Sequence, residues 1–192
     1  MTLSELAARA GKRSILRRDP GTCVPSLCRE GAASIPPCPK ARIGVISDTH
    51  GLLRPEALAA LDGVERILHV GDVGDPAIID ALARIAPVTA IRGNIDRGAW
   101  ADALPDTASV TAWGLRLHMV HDRKALRTDA RSEGWDVVIS GHSHKPGIEE
   151  ADGVLWLNPG AAGPRRFRLP ITLAYLWKED GRPRAVIHPL SV

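Results

Sequence analysis

The chain has 192 residues, 44% of them hydrophobic and 24% charged, the composition of one ordinary soluble domain with enough mass to bury a core unaided by disulfide or metal staples. No apolar run approaches the ~18 residues of a membrane-spanning helix, and the N-terminal MTLSELAARAGKRSILRRD lacks the apolar stretch of a secretory signal, so a cytoplasmic protein is expected. The formal charge of +3 belongs to the first forty residues, where seven Lys/Arg face three Asp/Glu; residues 41–192 carry 18 against 19, which argues against a nucleic-acid partner for the folded part.

Residues 1–40 read as a basic, Pro-containing, disordered extension, and residues 41–192 as the domain. Cys23, Cys28 and Cys38 all lie in the extension at spacings that fit neither a disulfide framework nor a zinc site. SIPPCPK (34–40) cannot continue a helix, since Pro fixes φ and lacks a donor. A start at a non-Met codon such as Val24 or Leu27 is an alternative, because no Met separates Met1 from Met119.

The domain opens on a buried strand, Arg42–Ser47 (RIGVIS). Then come a helix over Glu56–Leu61 behind Pro55, a strand at Arg66–Val70, a helix at Pro76–Ile85 and a strand at Val88–Arg92. This β-α-β-α-β order predicts parallel strands with right-handed crossovers. Thr107–Ala112 and Leu115–His121 form a hairpin about Trp113-Gly114. A helix is expected near Lys124–Ser132, then a buried strand, Trp135–Ser140. Gly147–Glu150, Val154–Leu157, Ile171–Trp177 and Arg184–His188 read as antiparallel strands, with turns at Asp152-Gly153 and Asp180-Gly181. Two packed sheets with helices outside satisfy this order.

Sites in open α/β sheets form beyond the carboxyl ends of the strands. Those ends carry Ser47-Asp48-Thr49-His50-Gly51, Gly71-Asp72, Gly93-Asn94-Ile95-Asp96, Val120-His121-Asp122 and Gly141-His142-Ser143-His144. Taken singly, each is an ordinary turn or capped loop. Together they bring Asp, Asn and His to one edge, usually beside a Gly that admits close backbone approach. Imidazole, carboxylate and amide donors without thiolate suit Mn, Fe, Co, Ni or Zn. Seven such donors exceed what one ion takes and fit two ions sharing a carboxylate, an arrangement that activates a bridging water and clamps phosphoryl oxygens.

SDTHG, GD, GN-x-D, VH, GHSHKP and the later Asn158-Pro159-Gly160 resemble the calcineurin-like metallophosphoesterase superfamily, in its small, single-domain prokaryotic phosphodiesterase branch, over residues 42–188. The resemblance implies a four-layer α/β/β/α sandwich of two mixed β-sheets flanked by helices. It implies a metal-dependent phosphodiesterase acting on a small phosphate ester through a hydroxide that bridges two divalent cations. Manganese is favoured, with Ni, Co, Fe and Zn as alternatives. Carried over by motif, Asp48, His50, Asp72 and His144 would hold one ion and Asp72, Asn94, His121 and His142 the other. Asp72, Asn94 and Asp96 would serve catalysis, Asp96 by orienting its neighbours. Asn158 and Gly160 match a loop near the site, while Arg165 reads as solvated. His69, His118 and His188 are assigned structural roles. Two residues depart from the pattern. Ile95 stands where the family has His or Cys to protonate the leaving group, and Asp122 replaces the Gly that follows His121. Ile95 gives weight to the alternative of a weakly active or inactive scaffold that binds a protein partner. A homo-oligomer is left open.

Overall fold

The computed structural model describes residue 39, residues 41–166 and residues 168–192. Apart from residue 39, the extension read above as disordered, with its three cysteines, lies outside the described residues.

The first sheet grows from β1 (Ile43–Ile46), buried along its whole length. It pairs in parallel with β2 (Arg66–His69), and β2 in parallel with β3 (Val88–Ala90). The crossovers are α1 (Pro55–Leu61) and α2 (Pro76–Ala83), and a four-residue α3 (Ala99–Asp102) follows β3. Both crossover helices open on Pro, whose fixed φ suits the first turn, and the Asp75 side chain caps α2 by accepting from the Ala77 amide at 2.8 Å. On its other side β1 pairs antiparallel with β9 (Thr172–Glu179), and β9 with β10 (Arg182–Pro189).

The second sheet runs β4 (Thr107–Ala112), β5 (Leu115–Val120), β6 (Val137–Ser140), β8 (Val154–Asn158) and β7 (Gly147–Ala151). Its outer pairs are antiparallel hairpins, whereas β5, β6 and β8 run parallel. Both sheets are therefore mixed, as expected.

Side-chain alternation with period two sorts the core. Ile43, Val45, Leu68, Val70, Ala174 and Leu176 of the first sheet meet Leu117, Met119, Val137, Ile139, Leu155 and Leu157 of the second. The opposite face of the first sheet, with Ile46, Ile67 and Leu173, is covered by Ala57 and Leu61 of α1 and by Ile78 and Leu82 of α2. The outer face of the second sheet buries Val120, Val138 and Val154 beneath Ala130, Trp135 and Trp156.

That fourth layer corrects one expectation. No α-helix spans 124–132; only Arg123–Ala125 form a 3-10 turn, and the chain then runs as coil and turns to Trp135. The Asp129 carboxylate accepts from the Ser132 amide at 2.8 Å, offering the backbone a local alternative to helix. A second correction concerns the late strands. β8 was expected in an antiparallel arrangement throughout, yet it lies parallel to β6 and antiparallel only to β7. Among the described residues no helix is long and apolar enough to cross a membrane.

Candidate metal centre

The carboxyl ends of β1, β2, β3, β5 and β6 carry every residue singled out as a ligand, and the fold brings all seven to one edge of the sandwich. The loops that hold them are tightly wound. Asp48, His50, Asp72, His142 and His144 all adopt positive φ, between 46° and 64°. A non-glycine residue there costs on the order of 1–3 kcal/mol, which surrounding contacts must offset. Backbone crowding demands glycine beside them. A Cβ at Gly93 would collide with the Asp72 amide and carboxylate, and one at Gly141 with Ser47 Oγ.

Two clusters form. In the first, His144 Nε2 lies 3.2 Å and His50 Nε2 3.8 Å from Asp48 Oδ1, and the two imidazole nitrogens lie 3.2 Å apart. Asp48 is fully buried. Its Oδ2 accepts from Ser47 Oγ at 2.7 Å and from the His142 amide at 3.1 Å, but its Oδ1 has no hydrogen-bond partner. A buried carboxylate oxygen without a donor, faced by two imidazole nitrogens, is costly unless a cation satisfies all three. The donor set fits a divalent ion.

The second cluster joins Asp72, His121 and His142. His121 Nε2 lies 3.3 Å from Asp72 Oδ1 and 3.1 Å from Asn94 Oδ1, and His142 Nδ1 lies 2.8 Å from that same amide oxygen. His121 Nδ1 donates to the Val70 carbonyl at 2.7 Å, which turns Nε2 into the site. Asp72 spans both clusters: Oδ1 faces His121, while Oδ2 lies 3.6 Å from His50 Nε2.

Charge follows from these contacts. Burial alone would raise the Asp72 pKa, yet the hydrogen bond with His121 and the Ile95 amide, 3.0 Å from Oδ1, bring it down to about 2. Burial would lower that of His121, but Asp72 and the Val70 carbonyl outweigh it, and the value is raised. His50 is lowered by its burial, with Arg166 adding to the effect.

Several further residues support the two clusters without belonging to either. Asp96 accepts from the amides of Val73, Gly74 and Gly93 at 3.2, 2.8 and 2.8 Å, tying the β2 loop to the β3 loop. Thr49 donates its hydroxyl proton to the Val73 carbonyl at 3.0 Å, so it must accept from His69 Nε2 at 2.9 Å. His69 is fully buried and its pKa falls to about 4 through desolvation, so the ring is neutral. It buttresses the loop between Asp48 and His50. Asn158 Nδ2 donates to the Gly141 carbonyl at 2.8 Å, and its Oδ1 accepts from the Gly160 amide at 2.9 Å. Arg166, not Arg165, reaches the site, 3.5 Å from His50 Nδ1. Asp122 does not turn to the second cluster but caps the 3-10 turn through the Lys124 amide at 2.9 Å. Ile95 is 38% exposed. His118 bonds Ser109 and stacks on Trp135, and His188 packs on Tyr175.

Residues 42–181 match the calcineurin-like phosphoesterase superfamily domain. A probable metallophosphoesterase of Methanothermobacter thermautotrophicus is 39% identical over 140 residues, 67% of this chain and 81% of that one. A phosphodiesterase of Methanocaldococcus jannaschii is 31% identical over 138 residues, 62% and 82% of the two chains. Among solved structures, an archaeal phosphodiesterase superposes with a TM-score of 0.64 at 28% identity, covering 77% of this chain and 99% of that one. Vps29 of Chaetomium thermophilum reaches 0.63 at 21% identity, covering 78% and 97%, a likeness of fold alone.

Proposed function

The chain belongs to the calcineurin-like phosphoesterase superfamily, and on that premise we propose that it hydrolyses small phosphodiesters with two divalent cations, manganese first among them. The observation that carries this reading is Asp72, whose two carboxylate oxygens face one cluster each. Asp48, His50, Asp72 and His144 would hold one cation, and Asp72, Asn94, His121 and His142 the other. Bound there, such cations supply Lewis acidity toward phosphoryl oxygens and toward a water nucleophile.

The remaining work falls to the chain itself. Asp72 keeps its charge because its pKa is held low, so it remains a ligand throughout the neutral range. His121 would hold a cation through a deprotonated Nε2, with its Nδ1–H kept on the Val70 carbonyl. Asp96 acts as a positioning residue by fixing the two loops that carry Asp72 and Asn94. The serines of these loops are engaged elsewhere, Ser47 donating to Asp48 Oδ2 at 2.7 Å and Ser143 accepting from Asn158 Nδ2 at 3.1 Å, so no covalent enzyme intermediate is invoked.

A metal-by-substrate panel on the metal-free protein tests the reading, with Mn, Ni, Co, Zn and Mg against nitrophenyl monoesters, nitrophenyl diesters and cyclic nucleotides. A transition metal should restore diester hydrolysis. Failure of every metal with every ester would overturn it and favour the second reading, a protein-binding platform on this fold, to which the aliphatic, part-exposed Ile95 lends support.

A further inference from the structure

A cavity of about 830 Å³ adjoins the second cluster, with Asn94, His121 and His142 among its lining residues. Its size falls among small-molecule sites, roughly 300–1,000 Å³. His118 and Trp135 line it as a stacked pair, ring centroids 3.7 Å apart and planes within 3° of parallel. Ser109 Oγ, 3.0 Å from His118 Nδ1, fixes the imidazole, and burial lowers its pKa so that the pair is uncharged at neutral pH. The 3-10 turn and the coil after it form the outer wall, where Ala125 and Leu126 face the cavity.

The charges on the wall cancel. Arg92, Arg97 and Arg127 are matched by Asp106, Asp122 and Glu133, and Arg92 is already engaged by Asp106 at 2.6 Å and Asp102 at 3.3 Å. A polyphosphate or an acidic peptide would gain little from such a wall. An uncharged arm with a flat aromatic ring and hydrogen-bonding edges suits both the stacked pair and the alternating charges.

Resting on the phosphodiesterase reading, we propose that this cavity is the specificity pocket for the second arm of the diester, and that the arm is nucleoside-like: an aromatic ring on an uncharged polyhydroxyl linker. The pocket would place that ring by the His118–Trp135 pair while the phosphate lies at the two clusters.

The test compares two diesters that release the same 4-nitrophenolate, thymidine 5′-(4-nitrophenyl phosphate) and methyl 4-nitrophenyl phosphate, on the metal-loaded protein. The nucleoside ester should show kcat/KM about tenfold higher or more, the size of effect that base stacking supplies. Ala125→Trp, which fills the cavity from its exposed rim, should erase that preference, as should Trp135→Ala, with Trp135→Phe restoring it. Calorimetric binding of thymidine 5′-monophosphate against methyl phosphate gives a readout free of turnover, with the same tenfold preference and the same loss in Ala125→Trp. Equal affinities, or a preference that survives Ala125→Trp, would overturn the pocket. Preferential nucleotide binding without hydrolysis of either ester would leave the pocket standing and remove the phosphodiesterase reading.

Discussion

The His121 imidazole is contested between a cation and a proton. The raised pKa of His121 means that its proton is held to a higher pH than the ordinary 6.5 of histidine. Metal affinity should therefore start to fall above pH 6.5 and drop by about tenfold per pH unit below it, as one proton competes for one ligand. His50, shifted the other way, joins only at lower pH. Isothermal titration of manganese between about pH 8 and 5.5 checks this, and a flat affinity would contradict it. Thr49 tests the buttress. Thr49→Val removes both the donor to Val73 and the acceptor for His69, and should weaken metal binding about 10–100-fold, with Thr49→Ser restoring most of it. Ile95 bears on the chemistry. With an aliphatic side chain at the expected proton-donor position, log kcat should fall steeply with leaving-group pKa. Ile95→His should flatten the plot by speeding alkoxide leaving groups about 10²–10⁴-fold. A flat plot for the unmodified protein would show that another donor serves. The ligands were legible because each sits within a few residues of a strand end. Their left-handed backbones, the Thr49–His69 pair and the approach of Arg166 were not, since these arise where separate loops meet.

At the scale of elements, short polar loops hold the centre by packing glycine against ligands. Gly141→Ala would drive a Cβ into Ser47 Oγ and within 2.8 Å of Asp48 Oδ2, the oxygen that fixes that carboxylate. It should cost about 1–3 kcal/mol of stability and loosen the first cluster. Gly147→Ala, with nothing within 4 Å, should be close to neutral. Urea unfolding of both variants separates the two cases, and equal midpoints would contradict the packing argument. The strands were legible from β-branched runs, and the hairpin turns from Trp113-Gly114, Asp152-Gly153 and Asp180-Gly181, all of which take positive φ at both residues. The helix expected at 124–132 was misread because Asp129 competes for the backbone there. The four-residue α3 is too short to leave a periodic signal. The parallel pairing of β8 with β6 could not be read locally, because pairing partners are set by long-range packing.

For the whole molecule, two mixed sheets share one apolar core and present their parallel strand ends to the same edge. The centre therefore draws ligands from both sheets: Asp48, His50, Asp72 and Asn94 from the first, His121, His142 and His144 from the second. A cation pair held across that seam would bind only the folded chain and stabilise it, by about 2.7 kcal/mol for each ion at a hundredfold excess over its Kd. Asp72 is the link, so the central claim rests on counting ions. Equilibrium dialysis against manganese, followed by elemental mass spectrometry, should give two ions per chain for the unmodified protein and fewer than one for Asp72→Ala. An unmodified protein that holds one ion at most, or an Asp72→Ala variant that keeps two, would contradict the account.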